Sequence, residues 1–185
     1  MEWIRPFSDI QELTQGSIID GVDWGEGDDN PLSIVLSNAC DLSHEGHCSY
    51  LIVAALYPVC DIIRSSREFL GIVQDKMGDL SKSQKRQIDR LFGDYIYNRT
   101  ITRYYFIDCS IIEQGLYLFV DYQHIKSVPF QTVSEYEPVA HLVSPLREQM
   151  MMRFVYYTGR VPVDRPDDDQ YGKIVQSLKE SLCIS

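Results

Sequence analysis

The chain is expected to fold as an α+β protein: a small, mainly antiparallel β-barrel with an inserted helical hairpin and C-terminal helices. Three features of the sequence carry this expectation. Short apolar runs bounded by turn residues occupy both the stretch before residue 58 and the stretch 102–128. Between them, two Ser-x-x-Glu/Gln boxes open segments whose apolar residues repeat at helical spacing. A Ser-Pro pair at 144–145 then starts another periodic segment. The implied organisation is a barrel domain over 1–143 with a helical insert at about 65–97, and a helical extension over 144–185 packed on it.

Element by element, Ser17–Asp20 reads as a short strand after the turn residue Gly16, and the Gly/Asp-rich stretch 21–31 as an exposed loop. Leu32–Ser37 and Tyr50–Tyr57 follow as strands, the second apolar on both faces and therefore central. The polar connection 38–48 between them holds two of the four histidines. In the insert, Ser65 with Glu68 and Ser81 with Gln84 start helices over roughly 66–77 and 82–96, joined at Met77-Gly78-Asp79. Phe69, Ile72 and Val73 give the first its apolar face; Ile88, Leu91 and Phe92 give the second. Strands resume at 102–107 and 116–121 around Gln114-Gly115, and a further short one near 125–128 ends at Pro129. Ser144 as N-cap and Pro145 at the first helical position open a helix whose stripe is Leu146, Met150, Phe154 and Tyr157, with Gly159 as terminator. In the final segment 171–182, Ile174, Leu178 and Leu182 keep i, i+4 spacing.

Composition narrows the function classes. The 185 residues are 44% hydrophobic and 24% charged, the balance of a globular chain rather than a disordered one. With 17 Lys+Arg against 27 Asp+Glu the net charge is −10, which excludes a surface that grips nucleic acid or anionic membrane all over and leaves room for a local basic patch. The longest apolar run falls far below the roughly 20 residues that span a bilayer, and Met1–Pro6 lacks the apolar core of an export signal. Five widely spaced cysteines, an odd number, then point to free thiols in a reducing cytoplasm, with no membrane association. Phosphate-binding loops, HExxH, GxSxG and tandem CxxC pairs do not occur.

Four groups of residues are candidates for chemistry. Cys40, His44, His47 and Cys48 are four potential zinc ligands within nine residues; a solvated loop with one buried thiol is the other reading, and no other cofactor is implied. Cys40-Asp41 follows an apolar strand, where side chains emerge into clefts; a thiolate there would need a base such as His44 or His124, while a small buried thiol beside a turn-forming Asp is the structural alternative. Arg147, Arg153 and Arg160 gather late in the chain, either to recognise a phosphate or carboxylate or to pair with Asp41 or Asp121; a contact between Arg147 or Arg153 and one of those two acids would tie the tail to the barrel. Lys82, Lys85, Arg86, Arg90, Arg99 and Arg103 form a basic stretch interleaved with Tyr95, Tyr97 and Tyr104, suited to nucleic acid, to an acidic partner, or simply to solvent. The acidic run 164–169 is a partner for it in cis or a cap for the last helix.

The run Pro31–Leu42 followed by Leu51–Leu56, preceded by Gly16-Ser17-Ile18, is similar to the PemK/MazF toxin family. That resemblance, over about residues 15–57, implies an SH3-like barrel, a homodimer and metal-independent endoribonuclease activity. The arginine that precedes the proline in those toxins is Asn30 here. More extensively, over 16–163, Cys40-Asp41-Leu42, Val120-Asp121, Ile125–Pro129, Leu142–Glu148, Arg153-Phe154 and Gly159-Arg160-Val161 resemble a family of uncharacterised bacterial proteins with a Cys-Asp-Leu motif after a β-strand. Two functions follow as expectations. The first is a non-enzymatic or accessory protein-interaction module within a toxin–antitoxin or anti-phage defence system, with protein partners or its own copy docking on the helices. The second is an RNA- or nucleotide-cleaving toxin, with catalytic residues Cys40, Asp41, His124, Arg147 and Arg153: a site at Cys40-Asp41, His124 as acid/base and the arginines steadying a phosphate.

Overall fold

Segments of alternating or continuous apolar residues build one antiparallel sheet in the computed structural model, which describes residues 2–7, 13–25, 30–42, 49–73, 80–99 and 103–159. Its strands are β1 (Ile4–Pro6), β2 (Ser17–Asp20), β3 (Ser33–Val35), β4 (Tyr50–Pro58), β5 (Tyr104–Asp108), β6 (Tyr117–Pro129) and β7 (Glu137–Leu142), in the spatial order β1-β7-β2-β3-β4-β6-β5. Every neighbouring pair is antiparallel. The two faces follow from the period of two. On one face Ile4, Ile18, Ile34, Ala54, Val120 and Leu142, drawn from six strands, meet in a single buried cluster, so the sheet curls around them. The opposite face carries two smaller clusters, Ile19, Val35, Leu51 and Val53 at one end and Phe106, Phe119 and Ile63 at the other. The curl brings the outer strands toward each other: Trp3, just before β1, meets Phe106 of β5 edge to face at 5.5 Å.

The helices are α1 (Ala39–Leu42), α2 (Val59–Ser65), α3 (Arg67–Val73), α4 (Lys82–Ile96) and α5 (Leu146–Thr158). The curled, mainly antiparallel sheet with inserted and C-terminal helices agrees with the expected α+β class, and several elements differ in detail. The insert begins earlier, because α2 starts directly after Pro58 of β4. Ser65 belongs to α2, where its hydroxyl donates to the carbonyls of Asp61 and Ile62, and Ser66 is the residue that caps α3 by accepting from the Phe69 N–H at 3.2 Å. The Ser81–Gln84 capping box is formed reciprocally. The segments expected as two strands, 116–121 and 125–128, are the single strand β6, whose register against β4 shifts between Ala54 and Leu56 so that 121–124 bulge out. Strands β1 and β7 were not anticipated, and the polar connection after β3 contains one helical turn, α1. Helix α5 starts at Leu146, with Pro145 rather than Ser144 in the cap position. Its stripe packs as its spacing demands: Leu146 and Met150 are buried in the main cluster, with Phe154 and Tyr157 half-buried against it. The junction 77–79, the acidic run 164–169 and the helix expected over 171–182 lie outside the described residues. Among the described residues no helix is long and apolar enough to cross a membrane.

Candidate functional site

The insert is held to the sheet at both ends, and the described residues leave a space between them. Pro58 passes β4 straight into α2, and Gln84 of α4 donates its amide to the Ile72 carbonyl of α3 at 2.7 Å. At the far end Asn98, in the left-handed region at φ 49°, turns its side chain onto the outer edge of β5. Its Oδ1 accepts from the Phe106 N–H at 2.9 Å and its Nδ2 donates to the Phe106 carbonyl at 3.4 Å. An amide carries both a donor and an acceptor, so one side chain satisfies an edge residue as a neighbouring strand would. Asparagine also tolerates positive φ better than most residues.

Between these ties, α2, α3 and α4 arch over β5 and β6 and leave an apolar groove of about 620 Å3. Aromatic rings dominate its lining, among them Trp3, Phe69, Phe92, Tyr95, Phe106 and Tyr117, with the Cys60 thiol, Arg64 and Asp108 as polar groups. Burial, and secondarily the nearby Glu68, raises the Tyr95 phenol above its ordinary pKa and keeps it neutral. Part of the lining is exposed apolar surface: Phe92, Ile96 and Tyr117 are each more than a third accessible. A pocket of this size and lining lies in the range of ligand and peptide sites, and contiguous exposed apolar surface marks an interaction site. The expected basic residues flank it. Lys82, Lys85, Arg86 and Arg90 are exposed along α4. Arg90 and Arg99 reach Asp94 at 4.0 and 3.8 Å, and Arg99 also lies over the Tyr97 ring at 4.7 Å. Arg103 departs from this patch, being committed to Asp121.

The residues singled out for catalysis have separate engagements. Cys40 and Asp41 sit exposed on α1, whose first turn is held by the Asn38 side chain accepting from the Cys40 N–H at 3.3 Å. His124 lies in the β6 bulge, sharing a 2.5 Å hydrogen bond through Nδ1 with the Tyr57 hydroxyl and packed edge-on against Trp24 at 4.4 Å. Arg147 grips the neighbouring Glu148 through Nε at 3.1 Å and Nη2 at 2.5 Å. Arg153 donates to the Asn98 carbonyl, linking α5 to the end of α4. The tie expected between Arg147 or Arg153 and a barrel carboxylate takes another form. Asp121 is not at a strand end but buried in mid-β6, 1% accessible, and Arg103 holds it bidentately, with the Gln123 N–H donating to the same carboxylate at 2.9 Å. Of the four proposed zinc ligands, His44, His47 and Cys48 lie outside the described residues; among those described, no three His, Cys, Asp or Glu side chains group to hold a metal.

No family model matches the chain, and no curated protein does either. The groove itself was not legible from sequence reasoning. Phe92 and Ile96 at i, i+4 were a signal, but α2 was not foreseen: the expected strand ends at Tyr57, the expected insert starts at about 65, and the residues between them were assigned to no element.

Proposed function

We propose that this chain is a non-enzymatic protein-interaction module and that the groove under α2, α3 and α4 is where it docks its partner. The observation that supports this is the aromatic lining that the described residues leave open: a monomer that had no use for the groove would be expected to close it, because burying a large apolar side chain is worth roughly 1.5–3 kcal/mol. The resemblance to PemK/MazF barrels adds an SH3-like reading of the curled sheet and the further proposal that the module works within a toxin–antitoxin or defence system. A photo-crosslinking residue at Phe92 or Ile96, compared with one at the remote exposed Tyr50, tests the docking site in cells of the source organism. The expected result is one dominant adduct from the groove positions, whose purified partner then binds the wild-type chain and not Phe92→Glu; equal adducts from all three positions would overturn the reading. The ribonuclease alternative requires Cys40, Asp41, His124 and either Arg147 or Arg153 to act together, whereas each has the separate setting described above. Induced expression discriminates: under the module reading the wild type and an Asp41→Ala, Arg147→Ala double variant slow bacterial growth equally.

A further inference from the structure

Resting on the docking reading, we infer that the occupant of the groove is an acidic amphipathic helix of another protein, its apolar face in the groove and its carboxylates on α4. Charge is the first argument. Residues 82–99 hold five Lys or Arg against two Asp, a local surplus of three positive charges in a chain whose net charge is −10. The placement of those charges is the second. On α4, Lys82, Arg86 and Arg90 follow at i, i+4, i+8 and form one row. With about 100° per residue, Lys85 falls between Phe92 and Ile96, and the row continues outward from that rim. Apolar anchors and cations therefore border each other along the same edge, the arrangement that reads an amphipathic helix with an acidic flank.

The alternatives fit the same surface less well. A strand added to the sheet would need the outer edge of β5, but Asn98 already satisfies the backbone of Phe106 there. Single-stranded nucleic acid needs rings presented outward beside the cations as stacking platforms. Here Asp89 and Asp94 interrupt the cations, Tyr95 lines the groove, Tyr104 packs on Phe119, and the outward ring of Tyr97 is already covered by Arg99.

Selection on the full-length chain tests this. A displayed library of amphipathic helices of about 16 residues, near the length of α4, would vary Leu, Ile, Phe and Met on one face and Asp, Glu, Lys, Arg and Gln on the other. The expected binders carry a net negative charge, weaken about tenfold or more when salt is raised, and lose about tenfold in affinity both to Phe92→Ala and to Arg86→Glu. Both positions are exposed, so the variants should retain the wild-type circular dichroism. Neutral or basic binders that still depend on Phe92 would overturn the acidic partner and leave the docking reading intact. Binders indifferent to Phe92, or displacement of acidic binders by single-stranded RNA, would overturn the inference at this site; the crosslinks at Phe92 and Ile96 then judge the docking reading separately.

Discussion

Among single residues, the pair of Arg103 and the buried Asp121 fastens the start of β5 to the middle of β6. The sequence suggested arginines from the last helix as partners for Asp121, and placed Arg103 in a basic patch. What decides the pairing is register: Tyr104 lies opposite Asp121 across β5 and β6, which brings the residue before Tyr104 to the carboxylate. The β6 bulge that buries Asp121 there is not encoded in any local pattern. Removing one member of a buried pair strands the other, at a cost of roughly 3–5 kcal/mol; because Arg103 is 42% exposed, Arg103→Ala is expected to cost about 2 kcal/mol in urea unfolding. His141 gives a pH dependence. Burial, then the nearby Arg147, lowers its pKa below 6.5, and its Nδ1 lies 3.5 Å from the buried Ser17 hydroxyl. The unfolded chain thus binds this proton more readily than the folded one, so stability contributed by His141 is present above about pH 6.5 and falls as pH drops toward the lowered value. Urea midpoints measured between pH 8 and 5.5 should decline for the wild type and flatten in His141→Gln.

Elements with their own start signals were the legible part of the fold. The box at Ser81 and Gln84 forms as read, with Ser81 accepting from the Gln84 N–H at 3.2 Å and the Gln84 side chain accepting from the Ser81 N–H at 3.0 Å. Ser81→Ala should therefore cost about 1 kcal/mol, while Ser83→Ala, exposed inside the same helix, should be neutral or slightly stabilising; urea unfolding monitored at 222 nm separates the two. The first box was misplaced by one residue, since adjacent serines offer the same hydroxyl and only the break between α2 and α3 decides which one caps. β1 and β7 escaped notice for a different reason. Neither alternates cleanly, β1 is three residues long, and both owe their extended form to pairing across about 135 residues of chain. Propensity has no access to such contacts.

At the scale of the whole molecule, the question is whether α5 is an appendage or part of what makes the sheet curl. Leu146 and Met150 enter the same cluster as residues of every strand, and two buried phenols point at the helix backbone. Tyr105 donates to the Leu146 carbonyl at 3.2 Å and Tyr122 to the Met150 carbonyl at 2.8 Å. Burial pushes the Tyr105 phenol up to about 12 and the Tyr122 phenol higher still, so both remain donors throughout the working pH range. Cys109 lies in the same cluster, and its thiol is pushed up to about 12 chiefly by burial. It therefore reports on the integrity of this core: in native protein the exposed Cys40 and Cys60 should alkylate readily, and Cys109 only when the cluster opens. Met150→Ala tests the coupling. Met150 is fully buried, so the truncation should cost roughly 2–5 kcal/mol. If helix and sheet form one cooperative core, the variant unfolds in one transition at lower urea, and Cys109 becomes reactive in step with the loss of near-ultraviolet circular dichroism. If α5 melted away by itself, helical signal would disappear first while Cys109 stayed protected, and the helix would have to be regarded as a separate unit resting on an already stable sheet.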